Sequence, residues 1–192
     1  MEAFSDGVLA IIITIMVLGL KVPHGTTFAS LRTVLPALLS YVLSFVNLGI
    51  YWNNHHHLLK TVERVTGAVL WANLNLLFWL SLMPFATAWM AQNHFAALPV
   101  AVYGCDLLLS GVAYYVLERA IIVAKGPESI LAAAVGRDVK GLVSMVLYAV
   151  AIPLTIVSRW ISMGIYVVVA ILWLVPDRRL TPVLGQPTTQ PG

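Results

Sequence analysis

The chain has 192 residues, of which 60% are hydrophobic and 10% charged, and a formal net charge of +3. A soluble domain carries about 25% charged residues, so this composition excludes an ordinary soluble protein and indicates an integral membrane protein. The single cysteine, Cys105, excludes an intrachain disulfide framework. The pI is about 9.2, but the basic residues lie between apolar runs, so we expect no nucleic-acid partner.

Six apolar runs are long enough, or nearly so, to cross a hydrocarbon core of about 30 Å, which requires roughly 20 helical residues. They predict an all-α integral membrane fold with six transmembrane helices. These helices form one domain over residues 1–177, and the tail over 178–192 has the polar, proline-containing composition typical of disorder. The predicted spans are Ala3–Leu20, Leu31–Trp52, Gly67–Trp89, Leu98–Leu117, Val139–Val157 and Ile161–Val175.

The positions of the basic residues predict the orientation in the membrane. With six crossings, both termini and the second and fourth loops lie on one side, and that side carries most of the Lys and Arg residues. Cytoplasmic loops are enriched in these residues, so we expect both termini to be cytoplasmic. The basic residues on this side are Lys60, Arg64, Arg119, Lys125, Arg137, Lys140, Arg178 and Arg179, against Lys21, Arg32 and Arg159 on the other.

The first helix has an apolar stripe and a carboxylate on different sides. At 100° per residue, the side chains of Ile11, Thr14, Ile15 and Leu18 fall within an arc of about 100°, whereas Asp6 lies roughly 140° from Ile11. Two interpretations of the stripe stay open. It faces lipid, or several copies meet at a symmetry axis and form a hydrophobic constriction, which is a known gating device.

An ionisable residue such as Asp6 within a membrane helix needs partners inside the bundle. The start of the first helix, the end of the second and the start of the third lie at the same leaflet. We therefore expect Ser5 and Asp6 near the depth of Trp52, His55 and Asn73. A structural network with a helix cap is one interpretation, and direct binding of a proton or ion is the other.

Other polar residues give weaker signals. The side chains of His55, His56 and His57 point 100° apart on a helix and cannot readily bind one ion, so we expect no metal site. Asp106 is a second carboxylate within an apolar run, and we expect a structural role for it. The sequence contains no catalytic constellation, so we do not expect an enzyme.

Several segments together resemble a known family. Phe4-Ser5-Asp6-Gly7, followed by Ala10-Ile11 and Thr14, is similar to the first-helix signature of the prokaryotic transmembrane protein 175 potassium channels. Residues 51–56 (YWNNHH) and 71–78 (WANLNLLF), with Pro84-Phe85, are similar to the second- and third-helix patterns of that family. The resemblance covers most of residues 4–90.

The resemblance implies a homotetramer in a prokaryotic inner or plasma membrane, with no re-entrant filter loop and with potassium ions as the permeant species. Four copies of the first helix would line the pore, which Ile11, Ile15 and Leu18 would narrow. Thr14 would place a hydroxyl in the pore and contribute to potassium selectivity. The residues expected in the packing network behind the pore are Phe4, Ser5, Asp6, Trp52, His55 and Asn73.

The family usually carries an Arg four positions before the motif Phe, and this sequence does not show that position. We therefore expect His55 or a neighbour to provide the partner of Asp6. The main alternative function is a proton- or ion-coupled secondary transporter that uses Asp6 and Asp106. A small membrane enzyme or an assembly factor is the third.

Overall fold

Six α-helices make up the regular structure of residues 1–62, 65–125 and 138–174, which are the residues that the computed structural model describes. The predicted tail over 178–192 and residues 126–137 of the predicted fourth loop lie outside these ranges. The helices are α1 (Glu2–Leu18), α2 (Phe28–Lys60), α3 (Gly67–Gln92), α4 (Ala97–Lys125), α5 (Val139–Leu154) and α6 (Arg159–Leu174).

Each helix coincides with one predicted span, but α2 and α4 are longer than predicted. Their spans were expected to end at Trp52 and Leu117, whereas the helices continue to Lys60 and Lys125. The prediction measured apolar length, and apolar length limits the membrane-buried part of a helix and not the helix itself. Among the described residues, α2, α3 and α4 are long and apolar enough to cross a membrane. The crossings by α1, α5 and α6 stay a prediction.

Hydroxyl and carboxylate caps mark the starts of three helices. Thr27 accepts a hydrogen bond from the backbone N–H of Ser30 at the start of α2, and Thr66 accepts one from Val69 at the start of α3. Asp138 caps α5 in the same way. These side chains bind backbone donors that would otherwise lack a partner in the first helical turn.

Proline residues do not end the long helices. Pro36 lies inside α2 and Pro84 lies inside α3. A proline lacks the N–H that would bond the carbonyl four residues earlier, but membrane helices tolerate this loss where local adjustments or neighbouring groups satisfy the freed carbonyl. Near the two prolines, Ser40 Oγ donates to the Pro36 carbonyl at 2.9 Å, and Thr87 Oγ1 donates to the Met83 carbonyl. Both helices continue through their prolines.

The packing order leaves α1 at the periphery of the bundle. α3 and α4 form the most extensive pair, α5 packs on α4, and α6 packs on α5, α2 and α4. The main contacts of α1 are with α3 and α2 alone. One side of α1 is therefore free of the rest of the described chain.

Candidate pore helix and its anchoring network

The apolar stripe predicted on the first helix is the outward face of α1. Ile11 is 60% exposed, Ile15 52% and Leu18 77%, and Thr14 is exposed between them. Gly7 is exposed on the same face, one turn before Ile11. Within one subunit, nothing in the described chain covers this face, so it contacts lipid or another subunit.

The hydroxyl of Thr14 is bound to its own helix. Its Oγ1 donates to the Ala10 carbonyl at 2.8 Å, which is the usual local bond of a threonine inside a helix. A hydroxyl has one donor and two acceptor lone pairs. Because the donor is used, the exposed oxygen offers only its lone pairs outward, as a cation requires.

The opposite face of α1 is buried. Leu9, Ile12 and Met16 recur at helical spacing and are all less than 10% exposed. They belong to the main hydrophobic core. Apolar contacts therefore fix the rotation of α1 about its axis, and this rotation turns the Ile11 stripe outward.

A polar network joins the first turn of α1 to α2 and α3. Asn73 Nδ2 donates to Ser5 Oγ at 3.0 Å, and Asn73 Oδ1 lies 2.7 Å from His55 Nε2. An amide oxygen only accepts, so His55 Nε2 carries the hydrogen in this arrangement. All three residues are buried. The structure thus brings together one predicted network residue from each of the first three helices.

The partner of Asp6 is Trp52, which lies near His55 on α2. Trp52 Nε1 donates to Asp6 Oδ1 at 3.0 Å, while His55 binds Asn73 and not Asp6. We expected His55 or a nearby residue to be the partner of Asp6, and the nearby residue Trp52 takes that place. Trp52 lies one helical turn before His56 and stacks on it. His55 and His56 are consecutive and therefore project from α2 in different directions.

Phe4 lies apart from these contacts. It is 59% exposed on the outward face of α1, on the same side as Ile11. Within one subunit it is therefore a neighbour of the stripe and not of the buried network formed by Ser5, Asn73 and His55.

Two groups of residues were missed by the sequence analysis. Glu2 and His56 lie 3.0 Å apart at the same end of the bundle as Asp6. The spacing of Glu2 and Asp6, which are four residues apart and therefore neighbours on a helix, was the available signal.

The second group joins α2, α3 and α4, since Ser44 Oγ lies 2.7 Å from Thr87 Oγ1 and 3.1 Å from Tyr103 Oη. Single hydroxyl residues in apolar runs give no comparable pattern.

Asp106 lies inside α4 and is buried. Neither of its carboxylate oxygens has a hydrogen-bond partner among the described residues. The Ser110 hydroxyl, one turn further along α4, is also buried without such a partner. Buried polar atoms of this kind call for a water, an ion or a bound proton.

The chain is similar to characterised families and structures. The family model described as "Endosomal/lysosomal potassium channel TMEM175" matches residues 1–84, which include α1, α2 and most of α3. A protein named as a potassium channel of Chryseobacterium sp. is 53% identical over 180 residues, which are 94% of both chains. Another potassium channel, of Chamaesiphon minutus, is 32% identical and covers 88% of this chain and 90% of its own length.

A solved structure supports the same relationship. The crystal structure described as a lysosomal potassium-selective channel TMEM175 homolog from Chamaesiphon minutus superposes with a TM-score of 0.78 at 31% identity. The match covers 91% of this chain and 94% of that one. These relatives are named as channels and not as enzymes. The long apolar helices α2, α3 and α4 of this chain agree with a multi-pass membrane protein. The extent of these matches shows that the chain belongs to the TMEM175 potassium channel family.

Proposed function

We propose that this protein is a potassium-permeable cation channel, formed by four copies of the chain around a pore that α1 lines. The relatives named as potassium channels support the ion and the transport mode. The exposed stripe of Ile11, Thr14, Ile15 and Leu18 is the observation that carries the pore assignment. It lies on a peripheral helix whose other side is fixed to α2 and α3.

The proposed constriction is hydrophobic. Ile11, Ile15 and Leu18 are one turn apart and would form three apolar rings in a tetramer. Narrow apolar rings exclude water, so an ion that enters them loses part of its hydration shell at a high cost in free energy. Conduction therefore requires these side chains to dilate or rotate. Selectivity would come from the cost of dehydrating the ion and not from a filter of stacked backbone carbonyls.

Thr14 is the proposed polar position in this pore. Four copies of its hydroxyl would lie within the same region as the Ile11 and Ile15 rings. Because each hydroxyl donates to Ala10, its oxygen lone pairs can replace part of the water around a potassium ion. The proposed role of Ser5, Asp6, Trp52, His55 and Asn73 is to hold α1 in place behind the pore.

Ionic currents through Ile11→Asn channels test the constriction. The purified protein is placed in planar bilayers with potassium and sodium on opposite sides. A polar ring wets more easily than an apolar one, so we expect a larger current and a lower potassium preference. A barrier lowered by about 1.4 kcal/mol raises the rate roughly tenfold. Ile171→Asn on α6 is the matched control, because Ile171 is 56% exposed and lies outside the proposed pore. Unchanged Ile11→Asn currents, or equal effects of both variants, would refute the assignment.

The mass of the detergent-solubilised complex tests the assembly. We expect about four times the subunit mass of 20.9 kDa after subtraction of the bound detergent. A monomer that still conducts would refute the α1-lined pore, since one copy of α1 cannot surround an ion.

A coupled transporter is the second candidate. It is favoured by the buried Asp106 carboxylate, which has no hydrogen-bond partner among the residues that the structure describes. Replacement of Asp106 by Asn distinguishes the two functions. The channel proposal predicts stepwise currents of unchanged size in this variant. A transporter that uses Asp106 predicts slow, saturable, pH-dependent potassium uptake in the unmodified protein and its loss in Asp106→Asn.

A further inference from the structure

Three potential metal ligands converge where α1 begins and α2 ends. Glu2 and Asp6 lie one turn apart on α1, and His56 faces them from α2. One ligand atom from each residue lies within 4.8 Å of the other two. His56 Nδ1 and Glu2 Oε1 are 3.0 Å apart. Bound divalent ions hold ligand atoms about 2.0–2.2 Å from the metal, so only small side-chain movements separate this arrangement from a coordinated one.

Trp52 orients two of the three ligands. Its ring stacks on the His56 imidazole with a centroid separation of 5.7 Å and an interplanar angle of 24°. Its Nε1 donates to Asp6 Oδ1 at 3.0 Å. Partners that hold ligands from behind raise the metal affinity of a site. One side chain here fixes both an imidazole and a carboxylate.

The short contact between His56 and Glu2 is not a directed hydrogen bond. Nδ1 of His56 is buried and has no hydrogen-bond partner among the described residues, although Glu2 Oε1 is only 3.0 Å away. An imidazole nitrogen and a carboxylate oxygen can both bind one metal ion through their lone pairs. The close approach of His56 Nδ1 to Glu2 Oε1 therefore places two possible ligand atoms side by side.

We propose that Glu2, Asp6 and His56 bind a divalent transition-metal ion of the Zn²⁺ type. One imidazole and two carboxylates are ligands that zinc accepts, whereas magnesium and calcium prefer oxygen ligands alone. Three protein ligands leave at least one position for water. The sequence predicted no metal site because three consecutive histidines cannot readily bind one ion. The site proposed here uses only His56 from that run and takes its other two ligands from α1. The side chains of Glu2 and His56 are both partly exposed, so a small side-chain movement would open the buried His56 Nδ1 to an ion from solution.

Zinc titration of the full-length protein tests the site. The protein is purified in detergent, freed of any affinity tag, and studied by isothermal titration calorimetry with zinc chloride. We expect one saturable site per subunit. Glu2→Gln and His56→Gln should each weaken the affinity at least tenfold, because each removes one ligand. Asp6 is left unchanged, since its loss would also release Trp52.

His24→Gln is the matched control, because His24 lies in the connection between α1 and α2 at the opposite end of α1. It should bind zinc as the unmodified protein does. Thermal unfolding adds a second measurement, since zinc should raise the unfolding temperature of the unmodified protein and of His24→Gln but not of Glu2→Gln. Absence of saturable binding, or equal affinity in Glu2→Gln, His56→Gln and the unmodified protein, would overturn the proposal. No current is measured, so the outcome is independent of whether the protein conducts potassium.

Discussion

The two faces of α1 are made of similar side chains but have opposite surroundings. Leu9, Ile12 and Met16 on one face lie in the core, whereas Ile11 and Ile15 on the other are more than half exposed. Hydrophobicity alone does not distinguish them, because in a membrane both lipid and protein accept apolar groups. The polar residues distinguish them, since Ser5 is buried on the inner face and Thr14 is exposed on the outer one. The inner face determines where the helix lies, and the outer face is free to serve transport.

The largest expected contrast comes from truncating one residue on each face. Replacement of Leu9 by Ala should lower the free energy of unfolding by about 2–5 kcal/mol, because it leaves a cavity in the core. Replacement of Ile11 by Ala should change it within about 0.5 kcal/mol, while the potassium current increases. Equilibrium unfolding in mixed detergent micelles and bilayer recordings measure the two effects. Equal losses of stability in both variants would show that the faces do not differ.

A smaller loss of stability is expected from the buried polar network. In Asn73→Ala, Ser5 and His55 both lose their partner, and an unsatisfied buried group costs about 1–3 kcal/mol. The same unfolding measurement applies. Asn75→Ala is the control, because Asn75 is exposed on the same helix. If both asparagine variants lose the same stability, the network does not anchor α1.

The smallest effect is expected at Thr14. Replacement by Val keeps the shape of the side chain but removes the oxygen that faces outward. We expect the potassium-to-sodium permeability ratio to fall about threefold, which corresponds to ~0.65 kcal/mol, with unchanged unfolding. Reversal potentials under mixed-ion conditions measure the ratio. An unchanged ratio would remove Thr14 from the selectivity proposal and leave the hydrophobic rings intact.

The sequence predicted the features of α1 that depend on helix geometry alone. The common direction of Ile11, Ile15 and Leu18 follows from 100° per residue, and the structure places them on one exposed face. Membrane depth predicted that Ser5, His55 and Asn73 are neighbours. Depth does not specify which donor meets which acceptor, so the pairing of Asp6 with Trp52 required the side-chain directions of α1 and α2.

The contact of Glu2 with His56 was not predicted for a related reason. Glu2 lies at the start of α1 and His56 lies near the end of α2, so almost the whole length of both helices separates the two residues along the chain. The α2 extension beyond Trp52 carries His56 to this position, and a rule based on membrane thickness ends that helix too early. Pairings between helices depend on the relative rotation of both, which the periodicity of either one alone leaves undetermined.

The polar anchors of α1 all lie in its first turns. Ser5 and Asp6 are tied by directional bonds to α2 and α3, whereas Leu9, Ile12 and Met16 make only apolar contacts. A helix that is held by directional bonds near its N-terminus moves most near its C-terminus. Sideways bending of α1 therefore displaces Leu18 further than Ile11, and Phe4 least of all. In the proposed tetramer, the Leu18 ring would therefore have the greatest freedom to widen, and the Ile11 ring the least.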